Sequence, residues 1–320
     1  MEIILAEKMG FCFGVRRTVN ETQKLVDNNI NNALTFGPII HNNDVISYFK
    51  EKGITYINDL EELKNYLKEN KVETIVIRTH GVKKEVLEEI KKMELKVVNG
   101  TCPYVTKVHK IVEKMSKEGY PILIIGKSDH PEIIGVTGYI ENNVPYFVVS
   151  DEDDLNKIDF SKIKKIAVVS QTTEKIEKVQ KIVSKLISFI PEVRYFKTIC
   201  YATDENQEAV HKLAPNVDVM IVIGGKNSSN TRKLFEIAKK YCDKSYHIEN
   251  EKDLDINWFK PHYKVGVTAG ASTPDWVINK VVDKLKEFSN ILENKESNFN
   301  TIISRSLHLI QGGDELIKNK

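Results

Sequence analysis

The chain has 320 residues and a mass of 36.6 kDa, enough for two or three α/β domains of ordinary size. Its apolar fraction of 41% and charged fraction of 29% exclude a disordered or fibrous protein, and its net charge of +2 gives no general reason to expect nucleic acid or an anionic membrane as a partner. The apolar runs are far shorter than a spanning helix, and the four cysteines include no close pair, so we expect a cytoplasmic protein without a disulfide framework.

Short β-branched apolar runs alternate with amphipathic segments along almost the whole chain. This periodicity predicts strands at residues 2–5, 33–36, 74–78, 96–98, 122–125, 146–149, 165–169, 193–196, 217–223, 245–248 and 264–267. It predicts helices at residues 18–28, 44–52, 83–92, 105–117, 174–189, 204–213, 231–241 and 274–288. Such alternation is typical of an α/β fold with largely parallel sheets, whose binding loops lie at the carboxyl ends of the strands.

Three of the four cysteines have the same local setting. Cys12, Cys102 and Cys200 each follow a predicted strand and precede a predicted helix, where the helix end favours a thiolate over a thiol. The alternative is that three small apolar residues lie in turns by chance. Cys242 ends a predicted helix and has no matching loop, so we interpret it as structural or incidental.

The separations between these cysteines, 90 and 98 residues, are each about the length of one small domain. The spacing predicts three similar α/β lobes, over residues 1–98, 99–197 and 198–288, in a three-fold arrangement. The remaining residues, 289–320, are rich in Asn, Ser and Lys and form a polar tail. Within it we predict a linker over 289–300 and a short helix over 301–317.

Three converging thiolates suggest a metal centre. A closed zinc site is disfavoured, because such sites commonly use two cysteines two to four residues apart and this chain has none. A four-iron cluster normally takes four cysteines, so three would leave one iron open to water or substrate. An open iron is a Lewis acid, which favours chemistry on a bound molecule over simple electron carriage.

Polar residues follow several other predicted strands. His41, His80 and His130 could donate to a phosphate or diphosphate, although each could also be an ordinary loop histidine. The loops at residues 224–230 and 270–274 add hydroxyl and amide donors, although helix capping alone could explain them. No Walker loop and no G-x-G-x-x-G motif is present, so nucleotide binding is unsupported.

A carboxyl group and a hydroxyl could move a proton at such a centre. Glu132 follows His130 and Pro131 at a predicted helix start, where it is ionised unless burial or a substrate hydroxyl shares its proton. Beside an open iron it would be a candidate general acid. Thr172 or Thr173 could relay that proton, or simply cap the helix that follows.

Nine short segments occur in order over about residues 1–285: GFCFGV (10–15), GPIIHN (37–42), RTHG (78–81), TCP (101–103), HPE (130–132), SQTT (170–173), CYAT (200–203), SSNT (228–231) and ASTP (271–274). Taken together and in this order, they resemble the LytB family of 4-hydroxy-3-methylbut-2-enyl diphosphate reductases. The resemblance implies a trefoil of three α/β lobes around a central [4Fe–4S] cluster with one open iron.

The resemblance also implies a reaction and a set of site residues. The C4 hydroxyl of an allylic diphosphate is removed reductively, which yields isopentenyl and dimethylallyl diphosphates and water; an external one-electron donor such as ferredoxin or flavodoxin supplies the electrons. Carried over by position, the cluster ligands are Cys12, Cys102 and Cys200, the proton donor is Glu132, and Thr172 holds the C4 oxygen. The residues that bind the diphosphate are His41, His80, His130, Ser228, Ser229, Asn230 and Ser272.

Two other functions stay open at the level of sequence. A quinolinate-synthase-like dehydratase also uses three lobes and three cysteines but performs no net reduction, and the GPIIH and SQTT loops argue against it. A redox sensor carrying a cluster is the non-enzymatic alternative. For each of these three functions we expect no membrane partner, and we expect that the core binds no nucleic acid.

Overall fold

The structure is a computed structural model, which describes residues 1–30 and 32–294. The strands of this part are β1 (Glu2–Leu5), β2 (Ala33–Phe36), β3 (Thr55–Ile57), β4 (Thr74–Ile77), β5 (Lys96–Asn99), β6 (Ile122–Ile125), β7 (Tyr146–Val149), β8 (Lys165–Ser170), β9 (Glu192–Tyr195), β10 (Val219–Ile223), β11 (Ser245–Ile248) and β12 (Lys264–Ala269). The α-helices are α1 (Phe13–Asp27), α2 (Asn43–Glu51), α3 (Leu60–Glu69), α4 (Lys84–Lys91), α5 (Pro103–Lys117), α6 (Pro131–Thr137), α7 (Ile176–Ile187), α8 (Tyr201–Leu213), α9 (Ser229–Tyr241) and α10 (275–294). Short 3₁₀ helices lie at Asp153–Lys157, Ala214–Asn216, Glu251–Asp253 and Ile256–Trp258.

The strands form three four-stranded parallel sheets with one shared topology. Sheet 1 has the order β3-β2-β4-β5 and sheet 2 has the order β7-β6-β8-β9. Sheet 3 has the order β11-β10-β12-β1, so its first three strands repeat the pattern and its fourth comes from the start of the chain. The predicted α/β fold with three similar units is therefore confirmed.

The predicted lobe boundaries differ from these sheets at the N-terminus. Residues 1–98 were expected to form one lobe, but β1 pairs in parallel with β12, with Glu2 opposite Lys264 and Leu5 opposite Val267. The strand β12 would otherwise leave an unpaired edge, and β1 covers it. Sheet 1 accordingly begins only at β2, and the first strand of the chain, β1, belongs to the third unit.

Burial explains which runs became central strands. The sequences TIVI of β4, ILII of β6 and VMIVI of β10 are buried at every position, as expected for parallel strands covered on both faces by helices. The outer strands β1 and β5 are exposed at both end residues and half-buried at the two middle residues. Among the described residues, two apolar clusters pack against each sheet, and these six clusters stabilise the three units.

Most predicted elements are present, with ends that differ by a few residues, and three were missed. The strand β3 has only three residues and forms because β2 offers it an edge. The helix α3 and the seven-residue α6 were also not predicted. No helix within the described residues is both long and apolar enough to cross a membrane.

The predicted linker at 289–300 is wrong at its start. Residues 275–294 are helical, and Ser289 is buried, with its hydroxyl donating to Glu293 Oε1 at 2.8 Å. The α-amino group of Met1 contacts the same carboxylate at 2.9 Å, so this last helix packs against the start of the chain. The predicted helix at 301–317 lies outside the described residues.

Candidate active site

The shared topology of the sheets brings every predicted site residue to one place. The central strand pairs of the three sheets are β2 and β4, β6 and β8, and β10 and β12, and the loops after these strands carry the predicted polar residues. The outer strands β5, β9 and β1 are each followed by a loop with a cysteine, which is Cys102, Cys200 and Cys12 respectively. One central cavity is lined by all twelve predicted residues, Cys12, His41, His80, Cys102, His130, Glu132, Thr172, Cys200, Ser228, Ser229, Asn230 and Ser272.

The three cysteines are the N-cap residues of α1, α5 and α8. The sulfur of Cys12 accepts a hydrogen bond from Val15 N at 3.5 Å, and the sulfur of Cys200 accepts one from Thr203 N at 3.3 Å. A Cβ atom on Gly14 would lie 2.4 Å from the sulfur of Cys102. The lack of a side chain at Gly14 therefore allows the start of α1 to approach Cys102.

The expected preference for thiolates is wrong for the protein by itself. Burial raises the pKa of the Cys12 and Cys102 thiols, and it raises that of Cys200 to about 11. Hydrogen bonds from the helix starts lower these pKa values, but burial has the larger effect. The sulfurs therefore need a cation beside them to lose their protons.

The three histidines form a compact cluster in the same cavity as the thiols. A ring nitrogen from each of His41, His80 and His130 lies within 4.8 Å of the other two. The Nε2 atom of His41 and the Nδ1 atom of His80 are buried and lack a hydrogen-bond partner within the described part of the chain. Buried polar atoms are normally satisfied, so these nitrogens indicate a place for a polar ligand.

These imidazoles are neutral at physiological pH. Burial lowers the pKa of His80 well below its ordinary value, with the neighbouring His41 and His130 adding to the effect. Burial, followed by the charge of His41, lowers the pKa of His130 to about 3. Arg78 and Arg232 lie close enough to His41 to lower its pKa further, after the larger effect of burial. The cluster therefore lies in a positive field, which favours an anion.

Hydroxyl and amide groups from sheet 3 complete this side of the cavity. The Ser228 hydroxyl caps α9 by accepting from Thr231 N at 3.3 Å, and Ser272 Oγ lies 3.5 Å from it. Both polar atoms of the Asn230 side chain are buried and unpartnered within residues 1–30 and 32–294. The hydroxyl of Ser229 accepts from Gln171 Nε2 at 3.2 Å. Neutral donors around a positive field suit the oxygens of a diphosphate.

One buried carboxyl group lies close to both the thiols and the histidines. Glu132 is only 1% exposed, and its two oxygens accept from Thr172, Oε1 from the backbone N–H at 2.7 Å and Oε2 from the hydroxyl at 2.8 Å. Burial raises the pKa of Glu132, whereas these hydrogen bonds and the charge of Lys233 lower it. Thr173 has no such contact, since its hydroxyl bonds to Gln171 and Ser229.

Sequence reasoning missed several residues around this carboxyl group. Lys233 and Glu174 form a buried ion pair at 2.8 Å, and Lys178 reaches the same carboxylate at 3.3 Å. No local pattern in the sequence joins α9 to the start of α7, so this pair could not have been found.

Thr203, which sequence reasoning also missed, lines the cavity, and its hydroxyl lies 2.9 Å from the sulfur of Cys200. Its position three residues after an N-cap is a signal that could have been used.

Three parallel sheets around a cavity that joins three thiols, three imidazoles and a buried carboxyl group define a three-unit α/β protein whose cavity offers soft ligands suited to a metal beside polar groups suited to an anion. A model of the LytB protein family matches residues 3–286. The chain therefore belongs to the LytB family.

Relatives with established names agree with this assignment. The 4-hydroxy-3-methylbut-2-enyl diphosphate reductase of Campylobacter lari is 48% identical over 292 residues, which are 91% of this chain and all of that protein. The enzyme of the same name from Campylobacter concisus is 47% identical, over 90% of this chain and all of that protein.

Two solved structures are also similar. One is (E)-4-hydroxy-3-methyl-but-2-enyl diphosphate reductase, described as the terminal enzyme of the non-mevalonate pathway; it is 38% identical, with a TM-score of 0.66 over 90% of this chain and all of that one. The other is the E-1-hydroxy-2-methyl-but-2-enyl-4-diphosphate reductase of Plasmodium falciparum, which is 29% identical. Its TM-score is 0.80, over 88% of this chain and 87% of that one.

Proposed function

We propose that this chain reduces 4-hydroxy-3-methylbut-2-enyl diphosphate to isopentenyl and dimethylallyl diphosphates, the last step of the non-mevalonate isoprenoid route. In this reaction the C4–O bond breaks, the oxygen leaves as water, and the allylic group takes up two electrons and a proton. The observation that carries the proposal is the single cavity that joins the thiols, the histidine cluster and the Glu132–Thr172 pair. The names of relatives that match over nine tenths of the chain support it.

The donor set fits an iron–sulfur cluster held by Cys12, Cys102 and Cys200. Thiolates are the ligands that such clusters use, and the three sulfurs line one cavity. When bound, a [4Fe–4S] cluster with one iron free of cysteine supplies the electrons and a Lewis-acidic iron.

The chain's own residues bind and orient the substrate. The His41, His80 and His130 imidazoles and the Asn230 amide have the unpartnered atoms or the proximity needed to hold the diphosphate. The hydroxyls of Ser228, Ser229 and Ser272 add donors at the start of α9 and beside it. These groups lie in loops and at helix starts around one cavity, which places them to bind the diphosphate together.

Proton delivery is the task of Glu132. Burial keeps its pKa high, so the carboxyl group can carry a proton at a pH where an exposed glutamate would be ionised. The Thr172 hydroxyl points to the carboxylate and lines the cavity, and in the proposal it holds the leaving oxygen beside Glu132. The second proton goes to either end of the allylic group, which gives the two products.

The test begins with anaerobically prepared protein. We expect about four irons and four sulfides per chain, and loss of the iron in Cys12→Ser, Cys102→Ser or Cys200→Ser protein. Cys242→Ser is the matched control, because Cys242 is buried in the apolar core beneath α9 and should leave the iron unchanged.

Turnover of the allylic diphosphate with reduced methyl viologen then tests the reaction. Glu132→Gln should lower kcat by about 100-fold or more while the iron content stays the same. Turnover without consumption of electrons would instead support a dehydratase, and a cluster-bearing protein with no turnover at all would support a redox sensor.

A further inference from the structure

Three exposed aromatic residues mark the outer side of the thiol centre. Phe13, Tyr104 and Tyr201 are 69%, 39% and 64% exposed, and each lies one or two residues after one of the three cavity cysteines. They occupy the first turns of α1, α5 and α8. We call these three residues the aromatic collar. Grouped exposed aromatic side chains mark interaction sites, and these three occupy equivalent positions around one cavity.

The collar surrounds one spot on the surface. The start of α1 touches the Cys102 sulfur through Gly14, the neighbour of Phe13. Tyr104 itself lines the cavity that the three cysteines line. The three cysteines behind these rings are only half-buried. Few atoms therefore separate the centre from solvent at the collar.

A basic groove continues from the collar along α1 and α5. It is lined by Arg17, Lys107 and Lys110 together with neutral residues, and none of its lining residues in the described part of the chain is a carboxylate. Arg17 is held in place, because its guanidinium donates to the carbonyls of Thr101 at 3.4 Å and Asn99 at 3.3 Å. Among the described residues, no carboxylate lies within salt-bridge distance of these three cations. The groove therefore carries an uncompensated positive charge.

The charges on the Tyr201 side of the collar are balanced instead. Lys8 lies 3.9 Å from Glu205, and Lys197 lies 3.0 Å from Asp204. The positive potential at the collar thus comes from the α1–α5 side. A partner that fits this surface combines an apolar centre with acidic groups at one edge.

We propose that the aromatic collar and the basic groove form the docking surface for an acidic one-electron carrier protein. This inference rests on the proposed function, because that reaction consumes two electrons that the substrate does not supply. Each carrier molecule would give up one electron to the thiol-held centre, so that two are oxidised for each diphosphate reduced. Such encounters use small interfaces, in which aromatic contact fixes the position and opposite charge speeds association.

The test compares two pairs of charge reversals on the cluster-loaded enzyme. Lys107→Glu with Lys110→Glu reverses two of the groove's cations, and Lys64→Glu with Lys68→Glu makes the same change on the exposed face of α3, in another part of the molecule. We measure the KM for a reduced acidic ferredoxin, the Kd of the oxidised ferredoxin by calorimetry, and turnover with reduced methyl viologen. The groove pair should raise the KM and the Kd about ten-fold or more at low salt and should weaken their salt dependence, with viologen-driven turnover unchanged.

Phe13→Ser tests the apolar part of the surface without changing charge. It should also weaken ferredoxin binding, and this weakening should persist at high salt, where the effect of the groove pair disappears. The iron content serves as its control, because Phe13 adjoins a ligand.

The possible results distinguish failure of the docking surface from failure of the proposed function. Unchanged ferredoxin binding in the groove pair, or equal weakening in the α3 pair, would overturn the docking surface. So would a dimer of the enzyme, seen by sedimentation, that the groove pair or Phe13→Ser dissociates, since a second copy would then cover the collar. If the native enzyme fails to turn over the allylic diphosphate with viologen, the proposed function fails, whatever the binding result.

Discussion

The contact between Thr172 and Glu132 predicts different effects for two neighbouring threonines. Thr172→Val removes the hydroxyl that donates to Glu132 Oε2 at 2.8 Å, and it keeps the backbone N–H that donates to Oε1 at 2.7 Å. Valine has nearly the same shape as threonine, so packing changes little. Thr173→Val is the matched control, because its hydroxyl contacts Gln171 and Ser229 and does not contact Glu132.

The size of the effect follows from the burial of the pair. A hydrogen bond to a charged group contributes about 1.5–3 kcal/mol, which corresponds to about one to two pKa units. The hydroxyl stabilises the ionised carboxylate, so its loss should raise the pKa of Glu132 beyond the value that burial already gives it. A general acid works only while protonated, and activity falls as the pH rises through its pKa. The alkaline limb should therefore move to higher pH by about one to two units in Thr172→Val and stay in place in Thr173→Val.

The assay is the pH profile of kcat with reduced methyl viologen and saturating diphosphate substrate. If Thr172 also holds the leaving oxygen, kcat at the optimum falls in Thr172→Val as well. A limb that moves to lower pH in Thr172→Val, or one that moves equally in both variants, would refute the assignment of Glu132 as the acid and Thr172 as its partner.

Three further results are expected. Gly14→Ala should lose most of its iron, because the new methyl group would meet the Cys102 sulfur at 2.4 Å, although alanine ordinarily stabilises a helix; full iron content would contradict this. Inorganic diphosphate should bind with uptake of protons, and more tightly as the pH falls, because the pKa values of the clustered histidines are lowered in the free protein and a bound anion raises them. Equal binding enthalpies in buffers of different ionisation enthalpy would show that no protons are taken up and would contradict this prediction. Lys233→Met should lower the free energy of unfolding by about 3 kcal/mol in urea titrations, since it leaves the buried Glu174 with only the more distant Lys178. The control Lys212→Met breaks the exposed pair with Glu208 and should lower it by less than about 1 kcal/mol.

The positions of the site residues along the chain could be read from the sequence. A cysteine, histidine or serine that follows a buried apolar run and precedes an amphipathic one must lie in a strand-to-helix loop, because the side-chain period changes there from two to 3.6 residues. The repeat of this setting at Cys12, Cys102 and Cys200 was enough to predict three similar units. The core strands followed from their composition, since TIVI and ILII are stable only where both faces are covered.

Only the tertiary structure decided which sheet each loop adjoins and how the pKa values of its side chains are shifted. The strand before Cys12 is local in sequence to sheet 1, yet β12 offers the open edge, and hydrogen bonds across some 260 residues leave no trace in local pattern. Burial likewise depends on what packs around a group, so the raised pKa of the cysteines overrode the helix-end effect that the sequence had suggested. The same holds for the Lys233–Glu174 pair and for the aromatic collar. A residue's type and local setting are written in its neighbours along the chain, whereas its desolvation and its partners are fixed only when distant segments meet.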